Sequence, residues 1–297
     1  MTSPYGSQYP GDDNNNWNSQ FGNLSGEQNY GQPYGAPYGQ PYGQPFDQGF
    51  NAYSSPIPPE VPQPSMQEAQ WRSFDLGTVF GQAWKGFAAT WQAWVLSTLI
   101  YFAVILVLMF AWIIPMVGVL AATSSGSDSA AIAAAGGTSF FGFVLMIVLV
   151  FISFVYSLNC YRNAARVVRG EQITIQSFFK MKGLGKALGI YILVNIVIFI
   201  GMILLLIPGI IAAVVLVFAV PVAFQLRDAS IGDAFSASWK VVSKNVGQTI
   251  LLFLVIFVLS FLGSAVIIGM LVTTPLTFLL YAYAFQTASG GPIMQRQ

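Results

Sequence analysis

Two stretches constrain this chain more than anything else in it: forty consecutive residues without an acid or a base at Ala187–Leu226, and forty-three at Asn245–Thr287. At about 1.5 Å of rise per residue, the shorter run would make about 60 Å of helix. The hydrocarbon core of a bilayer is about 30 Å thick. Each run therefore reads as two spans folded back on a tight turn. In the first, "LIPGI" (Leu206–Ile210) supplies the break, because Pro208 cannot continue the hydrogen-bond ladder and Gly209 tolerates turn dihedrals. In the second the break falls among Gly263–Gly269, and Pro275 kinks the last span.

Two more apolar stretches come earlier. Val95–Ile114 continues through Pro115–Ala122, and the polar Thr123–Ser139 separates it from Phe140–Leu158. The sequence thus predicts six spans, at about 95–120, 140–159, 188–207, 210–226, 248–266 and 270–286. Helices are expected because lipid offers backbone groups no other hydrogen-bond partner. A barrel would need short alternating strands, and these runs do not alternate. The fold class is all-α integral membrane.

Charge sets the orientation. Residues 1–70 carry six acids and no base, while the remainder carries twelve bases against five acids. The bases fall before the first span (Arg72, Lys85), between the second and third (Arg162 to Lys186), between the fourth and fifth (Arg227, Lys240, Lys244) and at Arg296. By the positive-inside rule both termini are cytoplasmic and the protein is multi-pass.

A phrase recurs on that side. "FGQAWKG" (Phe80–Gly86) and "FSASWKV" (Phe235–Val241) stand 155 positions apart, with a weaker echo in "TIQSFF" (Thr174–Phe179). Asp75, Thr174 and Ser230 are suitable helix N-caps, with Thr78, Ser177 and Asp233 three positions on. Phe80, Trp84 and Phe87, like Phe235, Trp239 and Val242, fall on one apolar face of a helix, with Lys85 and Lys240 off it, within reach of headgroups. The expected unit is a short in-plane helix, a span out, a turn and a span back, used three times. Chance recurrence of ordinary Trp-Lys interfacial anchors is the competing explanation.

Residues 1–70 are rich in Gly, Pro, Gln and Tyr, with the beat "YGQPYGAPYGQPYGQPF" (Tyr30–Phe46). Gly and Pro oppose helix and aliphatic residues are few, so this predicts a disordered cytoplasmic tail, either a spacer or a sticky segment that recruits partners. No charged and apolar leader opens the chain, and no signal peptide is expected. Residues 71–288 form the membrane domain and 289–297 a short cytoplasmic C-terminal tail.

The search for chemistry returns little. Histidine is absent, and the single Cys160 cannot form a disulfide within the chain. It reads as a packed residue. No acid or base lies inside a proposed span, which argues against a pump or ion-coupled symporter. Among the polar residues inside spans, Ser153, Ser157, Ser260 and Asn195, the last is the candidate for a hydrogen bond between helices. Arg162, Arg166 and Arg169 form a basic stripe suited to anionic lipid or a docking partner. "KGLGKAL" (Lys182–Leu188) lacks the first glycine and the Ser/Thr of a phosphate loop. No catalytic, metal or cofactor site is expected, nor any nucleic-acid partner.

"LIPGIIAAVVLVFAVPVAF" (Leu206–Phe224) followed by "DASIGDAFSASWKVVSKN" (Asp228–Asn245) resembles a bacterial family of six-span membrane proteins. That family includes the membrane domain fused to some glycerophosphodiester phosphodiesterases. With its tail, the chain is also similar to actinobacterial proline- and glycine-rich transmembrane proteins. The resemblance spans about residues 71–288 and implies a plasma-membrane protein. It brings no phosphodiesterase domain with it. The function expected is a non-enzymatic scaffold or accessory subunit that recruits partners through the tail, with a transporter or lipid-handling role as the alternative.

Overall fold

The structure, a computed structural model, describes residues 63–124, 128–265 and 268–294. The tyrosine-rich stretch 30–46 and Arg296 lie outside the described residues. Those described form helices α1 (Leu76–Ser124), α2 (Asp128–Val168), α3 (Gly185–Leu204), α4 (Leu206–Val215), α5 (Ala219–Gln225), α6 (Ile231–Lys244), α7 (Val246–Ala265) and α8 (Met270–Ala288), with a 3-10 turn at Ile175–Phe179. No strand occurs among them.

Five helical stretches are long and apolar enough to cross a membrane: Leu76–Ala121, Gly136–Val168, Gly185–Leu204, Leu206–Gln225 and Val246–Ala265. Their outward faces are mainly hydrocarbon; Val107, Ile114 and Leu120 are each about seven-tenths exposed. Water would not tolerate so large a continuous apolar surface. This is a multi-pass membrane protein.

The sixth predicted span, α8, is a helix of the expected extent but is not among those five. Thr273, Thr274, Thr277, Tyr281, Tyr283 and Gln286 dilute its hydrocarbon. It packs against α1, α2 and α7, and Leu276, Leu279, Leu280, Ala284 and Phe285 are buried. A helix sheathed by other helices need not be as apolar as one that meets lipid. Pro275 lies inside α8 without ending it.

Three boundaries differ from the sequence reading. First, α1 runs unbroken for 49 residues, so the in-plane helix expected before the first span is continuous with that span. Nothing between Gly86 and Val95 breaks a helix. In the later copy, Asn245 leaves helical geometry (φ −131°, ψ 37°) and separates α6 from α7. Second, the turn near Pro208 is made at Leu205, which is extended (φ −160°, ψ 136°). Pro208 sits in the first turn of α4, where its missing N–H costs nothing. Gly209 serves close approach instead of turn dihedrals. A Cβ there would stand 2.6 Å from the Met202 backbone nitrogen, and one on Gly201 would stand 2.9 Å from Gly209 Cα. Third, the expected tails are shorter: Gln63–Gln70 and Ser289–Met294 pack onto the helical body.

Burial in the two Trp-Lys copies follows one register. Val79, Ala83, Gly86, Phe87, Trp94 and Ser97 are buried, and so are Ala234, Ser238, Val241, Val242, Thr249 and Leu252, each 155 positions later. The expected apolar face is correspondingly revised. Trp84 and Trp239 point away from the core, 49% and 57% exposed, while Phe80 and Phe235 are half-buried against it. These helices carry apolar residues toward the core and toward lipid alike.

Replacing Gly209 by Val should pry α3 from α4 at the cost of an overpacked core site, about 1–3 kcal/mol. Thermal unfolding in detergent measures it, with Gly247→Val, where a side chain meets open space, as the comparison.

Candidate functional site

The basic residues gather at one end of the bundle, and there the chain's polar side chains are spent on its own backbone. Residues 63–75 form a strap across this end. Gln63 donates to the Phe224 carbonyl (2.9 Å), and Arg227 N–H donates to Pro64 O (2.9 Å). Gln70 and Arg72 donate to the carbonyls of Ser289 and Ala288, at 2.9 and 2.7 Å. Asn245, at the α6–α7 break, closes the strap: its Oδ1 accepts from Phe74 N–H (2.9 Å) and its amide donates to Arg72 O (3.1 Å). Trp71 stacks edge-on against Phe285 and lies beneath Lys240 Nζ, 5.6 Å from the ring centre.

The predicted basic stripe is an internal strut. Arg162 donates to the carbonyls of Lys180 and Lys182 (3.0 and 3.1 Å). Arg166 and Arg169 grip the two oxygens of Glu171 at 2.8 and 2.6 Å, and Arg169 also reaches Phe224 O (3.1 Å). These arginines thus spend hydrogen bonds on the protein's own carbonyls and on Glu171 while staying partly exposed. Lys180 and Lys182 on the α2–α3 connection and Lys186 in the first turn of α3 are exposed, as are Arg72, Lys85, Arg227, Lys240 and Lys244.

The capping residues diverge. Ser230 and Asp233 form a reciprocal capping box (3.1 and 2.9 Å), and Asp75 accepts from Thr78 N–H at 2.8 Å. Hydrogen bonds from Ser230 to Asp233, and from Thr78 to Asp75, hold both carboxyls below the usual aspartate range. Because both values are depressed, the caps contribute fully above the ordinary aspartate pKa and are lost as pH falls below it. Thr174 caps nothing with its side chain; Ser177 donates to its carbonyl instead.

Ser238, within the Ser-Trp motif, is fully buried and stitches the break between α4 and α5. Its hydroxyl donates to Val215 O (2.6 Å) and accepts from Phe218 N–H (3.1 Å). This ties the return helix physically to the motif that follows it in sequence. At the matching place in α1 stands Ala83, where no such break exists.

Asn195 does not join helices. It is exposed, and its amide donates to Tyr191 O one turn back on α3 (2.7 Å). Cys160 is fully buried. Among the described residues no group of His, Cys, Asp and Glu is placed to hold a metal.

Between α1, α2, α3 and α8 lies an open-sided chamber of about 530 Å³. Its polar lining is hydroxyl throughout: Thr98 and Tyr101 from α1, Ser153, Tyr156 and Ser157 from α2, Tyr191 from α3 and Thr274 from α8. Phe102, Leu149, Val150, Phe154, Met270 and Phe278 complete it. Tyr101 and Tyr156 stack in parallel at 4.2 Å. Thr98 gives its proton to Trp94 O (2.8 Å), so the 2.8 Å contact with Tyr156 has the phenol as donor. Tyr101 and Ser153 are bonded at 3.0 Å. The sequence reading named Ser153 and Ser157 as polar residues within a span but missed the chamber. The signal was the 98/101 and 153/156/157 spacing, which puts hydroxyls on facing helical surfaces.

Comparison with known proteins adds kinship without a role. Residues 167–294, from the end of α2 through α8, match a domain of unknown function (DUF7847). An uncharacterized protein of Mycobacterium tuberculosis is 30% identical over 174 residues, covering 58% of this chain and 52% of that one. An uncharacterized protein of Mycobacterium bovis matches to the same extent. The chain thus spans about half the length of these curated relatives. No solved structure matches it.

Removing the Ser238 hydroxyl (Ser238→Ala) should strand a buried N–H and C=O, costing about 1–3 kcal/mol. The exposed Ser236→Ala should stay within about 0.5 kcal/mol. Glu171→Gln, which leaves Arg169 without its counter-charge, should cost a similar 1–3 kcal/mol or so. Unfolding midpoints in detergent decide all three.

Proposed function

We propose that the chain is a six-span plasma-membrane protein built of three helix-pair units, with both termini cytoplasmic, and that it is a non-enzymatic scaffold or accessory subunit. The observation that carries this is the strap. Residues 63–75 are fastened by at least five hydrogen bonds to α5, the α5–α6 connection, Asn245 at the α6–α7 break, and the end of α8 with Ser289 after it. A body that anchors the root of its N-terminal segment so firmly is suited to present that segment to partners. The sixth span is α8, which neighbouring helices shield. The common burial register of the two Trp-Lys copies supports the repeat, and the Ser238 stitch gives the Ser-Trp motif a structural task. The gathering of bases at one end supports the orientation, and Lys180, Lys182 and Lys186 are placed for anionic headgroups there.

Two experiments test this. A reporter fused after Gln297 should be active only inside the cell; activity outside would overturn the orientation. Affinity capture with the full chain should recover partners that a chain lacking residues 1–62, strap retained, does not. Identical partners from both would overturn the scaffold role.

A further inference from the structure

The hydroxyl chamber lies deep. Ser153 is nine residues from the boundary arginine Arg162 on α2, about 14 Å of helix, near the middle of a hydrocarbon core about 30 Å thick. Hydroxyls at that depth are costly unless they find partners. Some do so within the protein. For Ser157, Tyr191 and Thr274, however, no side-chain hydrogen bond to the protein is present among the described residues, and all three line the chamber.

Its chemistry selects an occupant. No acid or base is among the lining residues, so a charged headgroup brought here would lie in low dielectric without a counter-charge, at a cost of several kcal/mol. An uncharged group bearing hydroxyl and ester oxygens loses far less, and the hydroxyls, each both donor and acceptor, satisfy it. The volume is within the range of small-ligand sites. Access is lateral: Val150 at the rim is 42% exposed on the lipid-facing surface, whereas Tyr156 and Thr98 at the floor are buried.

We propose that this chamber binds the glycerol-ester end of an uncharged lipid of the diacylglycerol type, entering sideways from the bilayer. Its hydroxyl and ester oxygens bond to Ser157, Tyr191 and Thr274, and its acyl chains leave past Val150. This stands independently of the scaffold reading.

The test uses full-length protein in phosphatidylcholine nanodiscs with a photoactivatable diacylglycerol, crosslinked peptides being mapped by mass spectrometry. Labelling is expected on the peptides containing Tyr101, Ser153–Ser157 and Thr274, suppressed by unlabelled diacylglycerol and not by phosphatidylglycerol. Ser157→Ala with Thr274→Val should reduce it about tenfold, the size expected for one or two lost hydrogen bonds. Neither hydroxyl bonds to the protein, so the fold should persist; if melting shows otherwise, Tyr191→Phe alone decides. Labelling unchanged by the substitutions, equal competition by phosphatidylglycerol, or crosslinks spread over the outer faces of α1 and α3 would overturn the proposal.

Discussion

A backbone in hydrocarbon has no water to bond to, and every departure from helix must be satisfied by the protein itself. That constraint organises this molecule. Its helices are interrupted at few places, and a particular side chain attends most of them. Ser238 bridges the α4–α5 break. Asn245 ends α6 and takes up the strap. Asn159 and Arg162 cover the carbonyls of Lys180 and Lys182 on the α2–α3 connection. The polar residues of the bundle are therefore mostly structural fasteners, the arginine stripe among them.

The same economy separates the two ends of the bundle. At the basic end, aromatic and small residues close around the strap: Phe74 meets Phe218, Trp71 meets Phe285, and Gly86 admits Tyr283 against α1. Away from it, α1 from Leu106 to Leu120 and α2 from Phe140 to Phe151 present exposed apolar residues, consistent with lipid as their solvent. Between these regions the hydroxyl chamber stands out, because part of its polar lining has no fastening task.

Much of the architecture was legible in the sequence because charge is excluded from hydrocarbon so strongly. The long uncharged runs located the helices, and the bases marked one end. What escaped notice was local. Proline signals the first turn of a helix as readily as a break, so the turn lies at Leu205, three residues before Pro208. The continuity of α1 past Gly86 was hidden by analogy with the later copy, where Asn245 intervenes. Composition concealed the first part of the strap, since Met66 and Ala69 are scattered among the Pro, Gln and Ser of an apparent tail. Asn195 looked like a tie between helices only because sequence cannot say which way a side chain faces.

Backbone satisfaction by these few fasteners is most directly tested by hydrogen–deuterium exchange of the intact protein in lipid nanodiscs. The amides of Phe74, Arg72 and Phe218 should exchange as slowly as those of the neighbouring helices, with Asn245→Ala releasing Phe74, Ser238→Ala releasing Phe218, and the Arg72 N–H still held by Ala288 O in both. Fast exchange of all three in the unaltered protein would contradict the account.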